Sequence, residues 1–150
     1  MKVVLQRVSE AKVTVEEKVV ASIHTGLLVF VGIVSDDSME DVQWLTNKII
    51  NLRIFSDSEN LMNLSLKDID GEILVVSQFT LHALTKKGNR PSYIRAARPE
   101  MAVPIYESFL QNLENYFGKN IKSGRFGADM KVFLVNDGPV TIIMDSTNKE

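Results

Sequence analysis

The spacing of hydrophobic residues is the feature that most constrains the fold of this chain, because it indicates strands along most of the length and helices in only two places. In 3–8, Val3, Leu5 and Arg7 alternate with Val4, Gln6 and Val8 as the two faces of a strand. The segments 12–15 and 19–23 flank the polar turn 16–18. Short runs joined by turn residues in this way are typical of antiparallel hairpins. A third apolar run covers 26–34.

Two segments have the 3.6-residue spacing of amphipathic helices. The first follows a capping sequence at 36–38 and runs to about Leu52. The second begins at Pro99, a residue that suits a first helical turn, and ends at Gly118. Pro104 lies early in this second helix, so we expect it to kink the helix or delay its start.

The remaining predicted strands are short, and together with the elements above they define the predicted fold class. We predict strands at 53–55, 72–81, 131–135 and 140–144, with 136–139 joining the last two. Because most strands are joined by hairpins, we expect a mainly antiparallel sheet, curled toward a barrel and covered by two helices. This is an α+β fold, and 150 residues of which 45% are hydrophobic fit a single domain spanning the chain.

Several classes of protein are excluded by what the sequence lacks. The chain has no cysteine, which rules out disulfides, thiolate catalysis and cysteine-ligated zinc. It has no P-loop and no GxSxG, HExxH or GxGxxG motif, and we interpret its two histidines, His24 and His82, as structural. The longest apolar run, 27–34, is far shorter than the roughly 20 residues that span a bilayer. We therefore expect a cytoplasmic protein with no membrane partner.

The most apolar of the predicted strands ends in polar side chains. Residues 73–76 are all apolar, which indicates burial on both faces, and Ser77, Gln78 and Thr80 follow them. Two-residue alternation places Gln78 and Thr80 on one face and Ser77 and Phe79 on the other. These groups either line a pocket or emerge into solvent, and their chemistry alone leaves both interpretations open.

The sequence Asn-Asp-Gly-Pro-Val-Thr at 136–141 lies between two apolar strands. Gly138 permits close approach of the backbone, Pro139 donates no N–H, and their bond can be cis at a cost of about 1 kcal/mol. A cis bond would hold neighbouring carbonyls nearly parallel, so that both could accept hydrogen bonds from one ammonium group. An ordinary hairpin turn is the competing interpretation.

The predicted loop 82–98 is strongly basic in a chain whose net charge is −2. Its basic residues are Lys86, Lys87, Arg90, Arg95 and Arg98, and it has no acidic residue. Solvated faces usually mix the two signs of charge, so this loop indicates a polyanionic partner, and Tyr93 could stack on a base. A loop kept soluble by its charge is the alternative.

Together these segments resemble the D-aminoacyl-tRNA deacylase family over essentially the whole chain. The segments 77–81 and 136–141 are similar to the two active-site motifs of the family. Three more segments, 63–66, 85–88 and the glycine-flanked 124–130, are also similar to family sequences. Each motif is weak by itself, but their order and spacing are specific. Tyr93 replaces an expected phenylalanine, and the stretch from 94 to 98 is more basic than usual.

The resemblance implies a homodimer with an active site shared between subunits. The Gly138–Pro139 bond, cis in this family, enters the partner's pocket as a chiral gate, where its carbonyls hold the substrate ammonium and an L side chain would collide with the wall. Arg7 matches the residue that orients this motif, which favours the chiral-proofreading branch. The other residues assigned by resemblance are Phe126 and Met130 for the substrate, and Lys86, Lys87 and Arg90 for the tRNA.

The implied reaction is hydrolysis of the ester between a D-amino acid and the terminal adenosine of tRNA, together with removal of glycine mischarged on alanine tRNA. We assign catalysis to Ser77, Gln78, Phe79 and Thr80. Thr80 is the only obvious hydroxyl nucleophile, but no base is paired with it, so we prefer attack by water assisted by the ribose 2′-hydroxyl. Backbone N–H groups of Phe79 and Thr80 would stabilise the oxyanion. No metal or cofactor is implied.

Two other functions stay open at this point. The first is a non-catalytic RNA-binding module that uses the basic loop and Tyr93. The second is a hydrolase that acts on another small ester. The strand end at 77–81 and the Gly138–Pro139 segment favour the deacylase over a binding module, because a binding module needs no convergent pocket.

Overall fold

The computed structural model describes residues 1–150. The strands are β1 (Lys2–Val15), β2 (Lys18–Ile23), β3 (Gly26–Gly32), β4 (Phe55–Ser56), β5 (Met62–Leu64), β6 (Glu72–Ser77), β7 (Lys122–Ser123) and β8 (Lys131–Asp145). The helices are α1 (Met39–Asn51), a 3₁₀ helix (Phe79–His82) and α2 (Pro99–Phe117). Neither α-helix has the length and hydropathy that a membrane crossing requires.

Strand β1 organises the sheet because three other strands pair with it. Its first half pairs antiparallel with β3, its second half pairs antiparallel with β2, and β8 runs antiparallel along its other side. Beyond β3 the sheet continues through β6 and β7 in parallel pairs. Because β2 also contacts β6 and β7, the sheet curls into a nearly closed barrel. The predicted α+β class, with a mainly antiparallel curled sheet and two covering helices, is confirmed.

Two hydrophobic cores lie on the two faces of this sheet, which explains the continuously apolar strands. In β3, Leu27, Val29 and Val31 belong to the core beneath the helices, whereas Leu28 belongs to the core inside the curl. The same alternation occurs in β6, where Ile73 and Val75 face the helices. Burial of each such side chain contributes about 1.5–3 kcal/mol, so β3 and β6 are firmly placed.

Both helices begin and end close to the predicted positions. The Asp41 carboxylate accepts a hydrogen bond from the Ser38 N–H at 2.8 Å and forms the predicted capping box of α1. Helix α2 begins at Pro99 and ends at Phe117, and it is capped by Gly118, whose φ of 77° is left-handed. Pro104 therefore does not delay the start of α2, because so early in the helix it removes only the hydrogen bond to the carbonyl of Glu100.

The end of the predicted strand 72–81 is wrong. The Gln78 N–H makes the last bond to β3, with the Val31 carbonyl at 2.7 Å, and β3 itself ends at Gly32. Without a partner strand the backbone turns into the 3₁₀ helix, in which the Leu81 N–H donates to the Gln78 carbonyl at 3.2 Å. The two-residue alternation predicted beyond Ser77 therefore does not occur.

The predicted turn at 136–139 is wrong as well. The segments 131–135 and 140–144 both pair with β1 in the same direction and form one strand, β8. Asn136 lies opposite Val8 and Thr141 lies opposite Gln6, so the four residues 137–140 bulge out opposite the single residue Arg7. We call residues 136–141 the Gly-Pro bulge.

Candidate active site

The end of β6 delivers the four residues 77–80 to one edge of the sheet. The Gln78 side-chain amide donates a hydrogen bond to the Thr80 hydroxyl at 2.6 Å, so the 3₁₀ turn joins these two side chains although the strand has ended. Ser77, Gln78 and Thr80 are half-buried, and Phe79 is 55% exposed. No carboxylate or imidazole is hydrogen-bonded to the Thr80 hydroxyl, which therefore has no general base beside it.

A cavity of about 600 Å³ opens beside this strand end. Ser77, Gln78 and Phe79 line one side, residues 126–130 line another, and parts of the segment 93–99 complete the wall. The structure thus brings Phe126 and Met130 together with three of the four predicted catalytic residues. Thr80 is absent from the lining and reaches the cavity only through its hydrogen bond with Gln78.

Phe126 is supported from behind by Tyr106 of α2. The two rings are tilted, with centroids 5.4 Å apart, and Tyr106 is buried in the core beneath the helices. Burial raises the pKa of the Tyr106 phenol well above its usual value, so the group stays protonated at neutral pH. Its hydroxyl has no hydrogen-bond partner, which makes Tyr106 a packing support for the cavity wall rather than a base.

Arg7 fixes one side of the Gly-Pro bulge. Its Nε donates to the Asp137 carbonyl at 3.0 Å, and its Nη1 donates to the Ile54 carbonyl at 2.6 Å. Gly138 has a φ of +123°, and a Cβ added there would lie 2.6 Å from Arg7 Nη2. Only glycine therefore lets the bulge lie against the guanidinium. The Gly138–Pro139 bond is cis, as the family resemblance implies.

Asn136 closes the base of the same bulge, a contact that the sequence analysis missed. Its Oδ1 accepts a hydrogen bond from the Val140 N–H at 2.9 Å. Its Nδ2 donates to the Val140 carbonyl at 3.3 Å and to the Thr141 hydroxyl at 3.2 Å. Gln6 of β1 donates to the same hydroxyl at 3.3 Å. The polar side chains of Asn136 and Thr141, at the two ends of the Gly-Pro bulge, were the sequence signal that could have predicted these hydrogen bonds. The contact of Arg7 with the Ile54 carbonyl had no such signal, because every residue has a backbone carbonyl.

The Gly-Pro bulge does not line the cavity of its own chain. Gly138 and Pro139 are both exposed, and neither is among the residues around the cavity. A single chain therefore presents the two predicted site motifs as separate surface features.

The basic loop lies beside the cavity and carries unpaired charge. Lys86, Lys87 and Arg90 are exposed, and none of the five basic residues of the loop takes part in a salt bridge. No acidic residue occurs between Glu72 and Glu100. Arg98 lines the cavity itself, so the positive charge continues to its mouth.

Neither histidine lines the cavity. His82 is buried, its Nε2 atom has no hydrogen-bond partner, and it is not among the cavity residues. His24 is exposed at the end of β2. Neither imidazole is hydrogen-bonded to a serine or threonine, so the structure contains no Ser-His pair.

Comparison with known proteins gives one consistent family. The family model described as D-Tyr-tRNA(Tyr) deacylase matches residues 4–145. Proteins named D-aminoacyl-tRNA deacylase from Flavobacterium psychrophilum and Bacteroides thetaiotaomicron are 65% and 59% identical over 150 residues, which cover 100% of this chain and of each relative.

Solved structures agree with this result. A structure titled c-Myc DNA Unwinding Element Binding Protein is 41% identical, with a TM-score of 0.92, over 97% of this chain and 98% of the other. A probable eukaryotic D-amino acid tRNA deacylase has the same fold, with a TM-score of 0.82 at 19% identity over 95% and 97% of the two chains. By the match over 4–145 and the identity of its full-length relatives, the chain belongs to the D-Tyr-tRNA(Tyr) deacylase family.

Proposed function

We propose that this chain hydrolyses the ester bond of D-aminoacyl-tRNA and releases the D-amino acid and the free tRNA. The observation that carries the proposal is the cavity at the end of β6, where Ser77, Gln78 and Phe79 face the loop that holds Phe126 and Met130. Family membership supports the same reaction, because the full-length relatives are named for it.

The proposed chemistry uses water as the nucleophile, with the 2′-hydroxyl of the terminal ribose assisting its attack. An unactivated threonine is a poor nucleophile, and the Thr80 hydroxyl already accepts a hydrogen bond from Gln78. The N–H groups of Phe79 and Thr80 are the first of the 3₁₀ helix and have no partner within it. They are therefore positioned to stabilise the oxyanion that forms on the ester carbonyl.

Discrimination between D and L residues is assigned to the Gly-Pro bulge of a second copy of the chain. Backbone carbonyls of the bulge would accept hydrogen bonds from the substrate ammonium. With the ammonium and the ester both fixed, only the direction of the side chain differs between the enantiomers, and an L side chain meets the cavity wall. Glycine has no side chain, so glycine mischarged on alanine tRNA enters the same cavity.

A two-fold dimer follows from the position of the Gly-Pro bulge. The bulge is exposed and lies outside its own cavity, so a partner must bring the two together. On β8 the large apolar side chains of Phe133, Val135 and Ile143 flank the bulge and are exposed, Ile143 by 72%. A row of exposed apolar residues is typical of an interface, and a two-fold axis would complete two identical sites.

The tRNA is held by charge in this proposal. Lys86, Lys87 and Arg90 bind phosphates of the acceptor end, and the absence of acidic residues from 73 to 99 leaves their field uncompensated. Such contacts release counterions, which makes the affinity strongly dependent on salt.

The experiment that tests the function compares hydrolysis of D-Tyr-tRNA and L-Tyr-tRNA by the purified chain. We expect rapid release of D-tyrosine and no hydrolysis of L-Tyr-tRNA above the spontaneous rate. Equal rates on both substrates would indicate an esterase without chiral selection. Binding of tRNA without hydrolysis of either substrate would favour the RNA-binding module.

A further inference from the structure

We propose that the turn 93–96 is a contact surface for the unpaired nucleotides that precede the terminal adenosine of the tRNA, with Ile94 against a base and Arg95 on a phosphate. The inference rests on the proposed function and extends the substrate site beyond the cavity. It assigns a role to the most exposed large hydrophobic residue of the molecule, Ile94, which is 85% exposed.

The turn is held firmly at both ends. The Ala96 N–H donates to the Tyr93 carbonyl at 3.0 Å and closes the turn. Before it, Leu84 and Ser92 exchange two backbone hydrogen bonds of 2.8 and 3.0 Å, and after it the Ala97 N–H donates to the Ile33 carbonyl at 2.9 Å. A surface fixed in this way can bind a partner without the cost of ordering a loop.

The apolar surface of the turn continues to the cavity. A single exposed hydrophobic residue is ordinary, but Ile94 follows Tyr93, which is 40% exposed. The Tyr93 ring stands edge-on to the Phe79 ring, with centroids 5.1 Å apart, and Phe79 and Tyr93 both line the cavity. Tyr93 and Phe79 thus form an exposed aromatic path from the turn to the candidate catalytic segment, and Ile94 is the next residue of the turn after Tyr93.

Positive charge accompanies this path. Arg95 is in the turn, Arg90 precedes it and Arg98 follows it, and none of the three forms a salt bridge. Aromatic faces beside unpaired cations bind single-stranded nucleic acid, because bases stack on the rings while phosphates contact the cations. An aliphatic side chain next to such a ring, as Ile94 is here, adds apolar contact area for a base.

The position of the turn selects the nucleotides that it would contact. If the terminal adenosine and its amino acid occupy the cavity, the preceding nucleotides leave through its mouth. Tyr93, Ala96 and Arg98 line the cavity, so the exposed side of the same turn faces the outgoing strand. A contact here holds the strand without touching the ester.

The test measures binding, so that it does not depend on catalysis. The probes are a tRNA that carries D-tyrosine through a non-hydrolysable 3′-amide, and the matching 3′-amide of adenosine alone. Ile94→Ser should weaken binding of the tRNA about five-fold, as expected from loss of one apolar contact with a base. Arg95→Ala should also weaken it and should lower the slope of log affinity against log salt by about 1. Neither change should alter binding of the adenosine probe.

Matched controls come from β2, away from the cavity. Val19→Ser removes another exposed apolar side chain and Lys18→Ala another exposed charge, and both should bind the tRNA probe as the wild type does. Wild-type affinity in Ile94→Ser and Arg95→Ala would overturn the inference. Equal losses on the two probes would overturn it as well, because the turn would then shape the cavity. Failure of the wild type to hydrolyse D-Tyr-tRNA would instead contradict the proposed function.

Discussion

At the scale of single residues, the candidate site offers groups that can position a substrate, and Thr80, its candidate hydroxyl nucleophile, has no base hydrogen-bonded to it. Thr80 accepts a hydrogen bond from Gln78 at 2.6 Å, and no base lies beside it. Gly138 lies against the Arg7 guanidinium, where a Cβ would come within 2.6 Å of Nη2. These contacts place the backbone and the amide groups, and the proposed attacking group is water assisted by the 2′-hydroxyl of the substrate.

The Thr80→Ala variant tests this assignment. If the 2′-hydroxyl of the substrate assists the attack, the variant should keep a substantial fraction of the single-turnover rate on D-Tyr-tRNA. A substrate whose terminal adenosine lacks the 2′-hydroxyl should then react far more slowly with the wild type. A D-tyrosyl ester trapped on Thr80 by rapid quenching would contradict this and would make Thr80 the nucleophile.

At the scale of elements, the irregular pairing of β8 with β1 is what makes residues 136–141 project from the sheet as the Gly-Pro bulge. Strand β1 is 14 residues long and pairs with both halves of β8, so residues 137–140, which lie opposite Arg7 alone, cannot all be paired in the ladder. Arg7 holds the bulge on one side and Asn136 holds its base. The two anchors bind different backbone groups of the bulge.

The Asn136→Ala variant should loosen the bulge while Arg7 still holds it. Loss of the hydrogen bonds to Val140 and Thr141 should lower kcat/KM on D-Tyr-tRNA about 5- to 30-fold, as expected for about 1–2 kcal/mol of positioning energy. Asn136→Asp keeps the acceptor for the Val140 N–H and should retain more activity than Asn136→Ala. Selectivity against L-Tyr-tRNA is the second readout. Unchanged rates and selectivity in both variants would show that Asn136 does not position the bulge.

The basic loop is the element expected to bind the phosphates. Replacing Lys86 and Lys87 with alanine should raise KM for D-Tyr-tRNA and flatten its salt dependence, since about one unit of slope belongs to each phosphate contact. The rate on bound substrate should change little, because neither residue lines the cavity. Steady-state kinetics at several salt concentrations measure both quantities, with Lys18→Ala as the control. An unchanged KM and slope would place the tRNA elsewhere.

Local sequence signals predicted the elements whose ends are fixed locally. The capping box at Ser38, Pro99 and the left-handed Gly118 are local features, and both helices begin and end close to them. The end of β6 was missed because it depends on where β3 stops, which is a contact between distant residues. The bulge was missed for the same reason, since only the length of β1 distinguishes it from a hairpin.

The candidate site was likewise predictable where it depends on local motifs and not where it depends on contacts between distant residues. The motifs at 77–81 and 124–130 could be assigned from the resemblance, and the structure brings both to one cavity. The contacts that hold the Gly-Pro bulge were not predictable, because one of them is the backbone carbonyl of Ile54, 47 residues from Arg7 along the chain. A backbone acceptor leaves no trace in the residue type.

At the scale of the whole molecule, the central claim is that two chains complete each site. One chain presents the cavity and the Gly-Pro bulge as separate features, and exposed apolar residues of β8 flank the bulge. A site of this kind requires one intact cavity and one intact bulge, which do not have to come from the same chain.

Mixing two inactive variants tests this claim most directly. Gly138→Ala damages the bulge, because an L side chain rarely adopts the φ of +123° found there and the added Cβ would displace the Arg7 guanidinium. Gln78→Ala damages the cavity. Each variant alone should be inactive on D-Tyr-tRNA. After unfolding and refolding together in equal amounts, half of the dimers are mixed and each holds one intact site, so about a quarter of the wild-type activity should return. Activity no greater than that of the separate variants, in a mixture shown to contain mixed dimers, would contradict a site shared between chains.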